Sequence, residues 1–318
     1  MLAQKLIVVT GGAGFVGSHL CERLVKDGHR VISLDNYFTG SRENHVEGVE
    51  YREGHTKDIE KHISETPDLI FHLGEYSRVE ISLKEPALVW DLNKDGTFGV
   101  LEFWRKCNPA LSGERAGKKC KLVYAGSSTK FGDGGMGRDQ SPYAWTKASN
   151  TELVRNYGTW YQLSYAITYF YNVYGPGERA GEYGTLIEIF RQKTLKGEPL
   201  TVVSPGTQKR NFTHIDDIIE GLVLIGDKGQ GDDFGLGDVR EYSVLDIAKM
   251  FLPAPQDASP ARAFAGGRQA GGGTIEMLPP RQGNRMSSTV DTSKAEAIGW
   301  HVKHGVEEYI KDVVSKPR

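Results

Sequence analysis

What this 318-residue chain has little of narrows the field first. It holds three cysteines, Cys21, Cys107 and Cys120. Their number is odd and their spacing matches no metal motif, so they read as reduced thiols and argue against a disulfide-built secreted domain. No apolar run approaches the ~18 residues that a membrane span needs, and the N-terminus leads straight into an apolar strand segment without a leader. The expectation is a cytoplasmic protein without membrane contact. Neither sign of charge dominates: the net charge is −2, which gives no electrostatic case for nucleic acid. No internal repeat is present. What remains, 38 % hydrophobic and 25 % charged residues, is the composition of an ordinary globular chain long enough for a large core, as one large domain or two packed lobes.

The richest stretch is residues 7–17, Ile-Val-Val-Thr-Gly-Gly-Ala-Gly-Phe-Val-Gly. Gly11, Gly14 and Gly17 give the spacing Gly-x-x-Gly-x-x-Gly. The first lets a strand turn sharply into a helix, the second lets backbone approach a pyrophosphate, and the third lets helix and sheet pack closely. A pyrophosphate then meets free N–H groups at a helix N-terminus. Asp35 ends the next apolar run, 18 residues after Gly17. A carboxylate there accepts bonds from both adenosine ribose hydroxyls and repels a 2′-phosphate, which favours NAD over NADP. A glycine triplet alone also suits a plain turn. The flanks, an apolar strand before and an amphipathic helix after, decide for nucleotide binding.

Apolar runs at 6–10, 30–34, 69–73, 121–125 and 165–170 alternate with amphipathic segments such as 18–27, 86–107 and 143–160. This pattern predicts an α/β fold: a Rossmann-type doubly wound parallel sheet with ligands beyond the C-terminal strand ends. Residues 1–175 are expected to form this domain, with later strands returning from about 205–240. Residues 176–318 are expected to form mainly a smaller, interleaved substrate lobe, with helices at 184–196, 214–226 and 243–251 and strands at 199–203 and 234–236. The stretch 253–273, rich in Pro, Ala and Gly, reads as a flexible loop; ordering over a ligand is the alternative.

Tyr143 and Lys147 stand four apart, on one face of the 143–160 helix. A free tyrosine, with a pKa of about 10, is a poor base. A nearby ammonium favours the phenolate and makes Tyr143 a usable base. Ser127, at a strand exit, offers a hydroxyl to both substrate and Tyr143.

Through these residues the chain resembles, nearly end to end, the extended short-chain dehydrogenase/reductases of the NAD-dependent nucleotide-sugar epimerase/dehydratase family, UDP-glucose 4-epimerase-like members above all. Thr10 to Gly17, including Phe15 and Val16, resembles the cofactor turn, and Asp35-Asn36 the ribose-binding pair. By the same resemblance Asp58 and Ile59 contact adenine, and Phe71-His72-Leu73, with Gly74, lies beside the nicotinamide ribose. Asn93, Gly96 and Thr97 match the next helix motif. Ser127, Tyr143 and Lys147 match the catalytic trio. Asn172, Arg210 and Arg281 match groups on the nucleotide-sugar phosphates, and Ile298-Gly299-Trp300 the C-terminal signature. The family dimerises through a four-helix bundle. Helices 86–107, with Trp90, Phe98, Phe103 and Trp104, and 143–160, with Leu153, Tyr157 and Trp160, are therefore expected to build a homodimer.

Departures sharpen the reading. Glu75 stands where the family has alanine, with a role toward nicotinamide or a sugar hydroxyl, or a place in solvent. Ser128 and Thr129 replace the acidic pair with which the dehydratases eliminate water; Ser128 is kept as a substrate contact. Asn211 replaces an aspartate, and Lys130 has no explanation. The resemblance implies NAD as cofactor, no metal, a nucleotide-sugar substrate and a place in carbohydrate biosynthesis. The reaction is read as epimerisation at carbon 4 through a keto intermediate. The alternatives are a dehydratase or 4-dehydrogenase/reductase and, from another class, a non-catalytic NAD sensor or scaffold.

Overall fold

The structure, a computed structural model, describes residues 3–109, 120–131, 133–179, 181, 184–252, 273–280, 285–287 and 289–315. Seven strands form one sheet: β1 Leu6–Thr10, β2 Arg30–Asp35, β3 Val49–Glu53, β4 Leu69–His72, β5 Lys121–Ser127, β6 Tyr165–Phe170 and β7 Gly231–Leu236. Their spatial order is β7-β6-β5-β4-β1-β2-β3, and every pairing is parallel. The chain runs outward from β1 through β2 to β3, then crosses back to β4 on the other side of β1. The switch point therefore lies between β1 and β4, where an open α/β sheet leaves a crevice.

The sequence pattern explains why both faces are covered. Successive side chains of a strand point to opposite faces. Val8, Ile32, Ile70 and Leu122 join one core with Val100, Trp104 and Val154. Ile7, Val9, Val31 and Phe71 join the other with Leu20, Leu24, Leu222 and Trp300. Four helices supply the layers: α1 Phe15–Lys26 and α4 Ile215–Lys228 over the second core, α2 Gly96–Lys106 and α3 Pro142–Trp160 over the first. Continuous apolar strands are what a sheet buried on both faces requires. The edge strand β3, Val-Glu-Tyr-Arg-Glu, carries charge and is only partly buried, which is why its apolar signal is too weak to read in the sequence.

The C-terminal residues build a third core around Tyr174, Phe190, Val202, Phe212, Ile247, Phe251 and Ile310. Two-residue and four-residue strand pairs accompany it, such as Leu200–Val203 with Ile275–Leu278. The C-terminal Trp300 is locked to the start of α4: its indole N–H donates to the Asp217 carbonyl at 2.7 Å, and the Asp217 carboxylate accepts from the backbone of Lys303 and His304 at 3.1 Å each.

One expectation needs correction. Residues 86–107 are not one helix but Pro86–Val89, a π-helical turn Trp90–Asp95, and α2. Phe103 and Trp104 of α2 lie in the core, and so does Tyr157 of α3. Trp90, Phe98 and Trp160 stay exposed, joined by Trp145 and Tyr161, to which the sequence pattern gives no special place. Among the described residues no helix is long and apolar enough to cross a membrane. The stretch 253–272 lies outside the described residues, as do Arg281 and the Lys130 side chain.

Candidate active site

A cavity of about 520 Å³ opens beyond the C-terminal strand ends at the switch point, lined by the ends of β1, β2, β4 and β5 and by the first turns of α1 and α3. Its floor is the glycine turn. Gly11 has φ +75° and lies against Gly74, so a Cβ at residue 11 would sit 2.8 Å from the Gly74 Cα. At Gly17 a Cβ would fall 2.0 Å from the Gly11 carbonyl oxygen, so α1 reaches the turn only without a side chain there. Gly14 is the N-cap of α1 and has no side chain to occupy the helix end. The result is a bare helix N-terminus facing the cavity, which suits a pyrophosphate.

Asp35 closes one end. Its carboxylate accepts from the Ala13 N–H at 2.9 Å through one oxygen and from the Tyr37 N–H at 2.8 Å through the other. Burial pushes this carboxyl up, and the two backbone donors work against that rise. It faces the cavity beside Asn36. A dinucleotide with its pyrophosphate on the glycine turn and a ribose at Asp35 would extend its other half across β4 and β5. The residues fit that group.

At that other half stand the reacting side chains. Ser141 caps α3 by accepting from the Ala144 N–H at 3.1 Å, with Pro142 in the first turn, so Tyr143 leaves the helix start toward the cavity. The Tyr143 hydroxyl donates to Ser127 Oγ at 3.1 Å. Ser127 Oγ also lies 2.8 Å from Thr129 Oγ1. Lys147, one turn along, donates to the Ala125 carbonyl and to Glu75.

Glu75 is the surprise. Its backbone lines the cavity, but its carboxylate turns inward and is 3 % exposed. It accepts from Thr97 at 2.6 Å, Asn150 at 2.8 Å and Tyr124 at 2.9 Å, besides Lys147. Burial is the largest influence and raises the Glu75 carboxyl, but the charge of Lys147 and the hydrogen bonds from Lys147 and Thr97 together hold the group below the usual carboxylate range. Burial pushes the Tyr124 phenol up, and the Glu75 charge adds to that, so Tyr124 is a neutral donor. Behind Thr97 lies His72, bonded at 3.0 Å to Thr97 and at 2.7 Å to Thr10. Burial lowers the His72 pKa to about 4. A neutral imidazole receiving from Thr10 and giving to Thr97 completes the chain without an unpaired proton. The expectation of Glu75 as a substrate-binding group, or a solvated one, is therefore corrected: its carboxylate is committed to donors within the protein.

Most of the other expected residues gather as well. Gly11, Gly14, Phe15, Val16, Gly17, Leu73, Gly74, Ser128, Asn172 and Arg210 line the same cavity. Asn172 adopts φ +39° and donates to the Asn211 carbonyl at 2.7 Å. Asn211 in turn donates to the carbonyls of Asp238 at 2.9 Å and Arg240 at 3.1 Å, a job that needs an amide rather than a carboxylate. Asp58 and Ile59 do not line the cavity. Asp58 pairs with Lys61 at 2.9 Å on the surface, and Ile59 is fully buried in the core; Gly54 and Thr56 take the wall there. Three cavity arginines were missed: Arg78, Arg179, whose guanidinium donates to the Thr39 carbonyl at 2.7 Å, and Arg285, which donates to the Ser128 carbonyl at 3.1 Å. They come from loops, where no periodicity signals a direction. Away from this cavity, His214, Asp216 and His304 bring possible metal ligand atoms within 4.8 Å of one another. Asp217 holds the His304 ring at 2.9 Å.

The arrangement resembles known proteins as a whole. A family model described as the NAD dependent epimerase/dehydratase family matches residues 7–237, and the chain belongs to that family. UDP-glucuronic acid decarboxylase 1 of Arabidopsis thaliana is 28 % identical over 97 % of this chain and 69 % of its own. Among solved structures, a UDP-glucose 4-epimerase from Thermotoga maritima with UDP-glucose superposes with a TM-score of 0.81 at 26 % identity, covering 98 % of this chain and 97 % of that one. The Thermus thermophilus UDP-glucose 4-epimerase in complex with NAD gives 0.81 at 28 % identity, covering 98 % of both chains. Relatives with different reactions thus share this frame.

Proposed function

We propose that this member of the NAD dependent epimerase/dehydratase family is an NAD-dependent epimerase of a nucleotide-activated sugar, acting at carbon 4. The carrying observation is the Tyr143–Ser127 pair at 3.1 Å, with Lys147 in the same cavity wall and hydroxyls, not carboxylates, at Ser128 and Thr129. NAD, when bound, takes up hydride from the sugar carbon and gives it back. Tyr143 removes the hydroxyl proton and returns it. Ser127 holds the reacting oxygen and is itself oriented by Thr129. The trio supplies one base and fixed geometry; inversion further requires the keto sugar to turn over in the cavity, so that hydride returns to its opposite face. Arg210 and Asn172 face the cavity where the nucleotide pyrophosphate would lie, and a guanidinium bonds two phosphate oxygens at once. By resemblance Arg281 joins them. The intact trio argues against a mere sensor or scaffold.

Elimination of water needs a proton donor and acceptor after Ser127, and neither position carries an acid. The test is incubation of the protein and NAD with UDP-, GDP-, CDP- and dTDP-sugars, with products resolved by mass and NMR. Product of unchanged mass and inverted carbon 4, without accumulating NADH, is expected. Loss of water overturns the reading in favour of a dehydratase. Loss of carbon dioxide points to a decarboxylase, and loss of two hydrogens with stoichiometric NADH to a dehydrogenase.

A further inference from the structure

A dinucleotide seated with its adenosine ribose at Asp35 carries a positive ring when oxidised and a neutral one when reduced. The charge of the wall beside that ring therefore decides which form binds more tightly. With the pyrophosphate on the Gly11–Gly17 turn, the other half of the dinucleotide would meet the part of the cavity wall that Gly74, Tyr143 and Lys147 line. Lys147 would be an uncompensated cation there. Instead its ammonium is paired with the Glu75 carboxylate, both side chains being nearly inaccessible to water, at 7 % and 3 % exposure.

We propose that Glu75 is a positioning residue that sets the oxidation-state preference of this site. It holds the Lys147 ammonium against the Ala125 carbonyl and cancels its charge, so that the site favours the cationic, oxidised cofactor. The inference rests on the proposed binding of NAD. The surroundings are built for a carboxylate. Thr97, Tyr124 and Asn150 all donate to it. Asn150 is turned the right way because its own oxygen accepts from Lys94 at 2.8 Å. His72 is kept neutral and adds no charge. An epimerase must keep its cofactor oxidised between turnovers, and a buried counter-charge to Lys147 serves that need without touching substrate.

The experiment is equilibrium titration of the nucleotide-free protein with NAD and with NADH, for the wild type, Glu75→Gln, Glu75→Asp, Lys147→Gln and the Glu75→Gln/Lys147→Gln double variant. Losing one buried counter-charge near a cation is expected to move the NADH-over-NAD preference by about tenfold toward NADH in Glu75→Gln. Glu75→Asp, which keeps the charge, should stay near the wild-type ratio. The double variant, again neutral, should return to it, and Lys147→Gln should move it the other way. A purely structural role weakens NAD and NADH by the same factor and leaves the ratio unmoved; that result overturns the proposal. If Glu75→Gln fails to fold, the ratios of the double variant and Lys147→Gln decide, and equal ratios in the two again overturn it. A wild type that binds neither nucleotide overturns the cofactor reading itself, and this inference with it.

Discussion

The Tyr143 phenol donates to Ser127 Oγ across 3.1 Å, from the first turn of a helix to the exit of the interior strand β5. Ser127 is bonded on its far side to Thr129 at 2.8 Å. Three hydroxyls are thus linked in succession at the cavity wall, and the first lies one helical turn from Lys147. Tyr143→Phe deletes one oxygen and nothing else of that series. Turnover of whichever nucleotide sugar proves to be the substrate should fall by about a hundredfold or more, with NAD affinity nearly unchanged. Steady-state kinetics and an NAD titration check both halves. Retained activity would mean another base.

Asp35 spends both oxygens on backbone donors and still faces the cavity. NAD should therefore bind at least about tenfold tighter than NADP, since a 2′-phosphate would meet a buried carboxylate. Asp35→Asn keeps the shape but offers only one acceptor oxygen, so one of the Ala13 and Tyr37 N–H groups loses its partner. The variant should lose thermal stability and most of the discrimination together. Equal binding of both nucleotides by the wild type would remove the argument.

Gly17 tests the cradle. A methyl group there would lie 2.0 Å from the Gly11 carbonyl oxygen, closer than any contact allows, so α1 must retreat from the turn. Gly17→Ala should cost about 1–3 kcal/mol, as overpacking does, and should weaken NAD binding beyond that loss. Thermal melts with and without NAD separate the two effects.

Glu178 gives a pH dependence. Burial raises its carboxyl to about 7, although it accepts from the Thr185 N–H at 2.8 Å. Its folded pKa thus lies above the unfolded one. Between roughly pH 4.5 and 7 the native state holds the proton more tightly, so stability falls as pH rises, and the penalty is complete above about 7. Glu178→Gln never carries the charge. It should be more stable than the wild type at pH 8 by on the order of 2 kcal/mol, and the gap should close at pH 4. A pH-independent gap would refute the assignment.

The range of the forces decides which features the sequence disclosed and which it hid. The glycine turn and Asp35 are local: strand, turn and helix succeed one another within the chain, and the φ of Gly11 or the absent Cβ of Gly17 is legible from spacing alone. The Tyr143–Lys147 pair is fixed by one helix. Glu75 is different. Its direction is set by Thr97, Tyr124, Lys147 and Asn150, which come from α2, β5 and α3 and meet only in the folded core. Arg78, Arg179 and Arg285 carry no directional signal in the sequence because they sit in loops. Trp104 reads as interface in the sequence because bulk and apolarity alone do not say whether a helical side chain meets its own sheet or a second subunit; in the fold it lies in the core beside the sheet.

The exposed aromatics carry the last prediction. Trp90 and Trp145 stack with ring centroids 5.9 Å apart and planes 14° from parallel. Both rings remain substantially in solvent, at 49 % and 40 % exposure. Phe98 on α2 and Trp160 at the end of α3 are more exposed still, at 53 % and 60 %. Residues 145 and 160 lie 15 apart, close to four helical turns, so they share a flank of α3. A monomer gains nothing by holding indoles in water, and burying that surface would contribute roughly 25 cal/mol per Å². The two neighbouring helices can meet their own copies across a twofold axis, which closes after two subunits. The protein is therefore expected to be a dimer at micromolar concentration by light scattering. Phe98→Glu, which would bury a charge at that interface while leaving the cavity untouched, should yield a monomer with its NAD site intact. A wild type that scatters only as a monomer would sink the assignment, and so would a Phe98→Glu variant that remains a dimer.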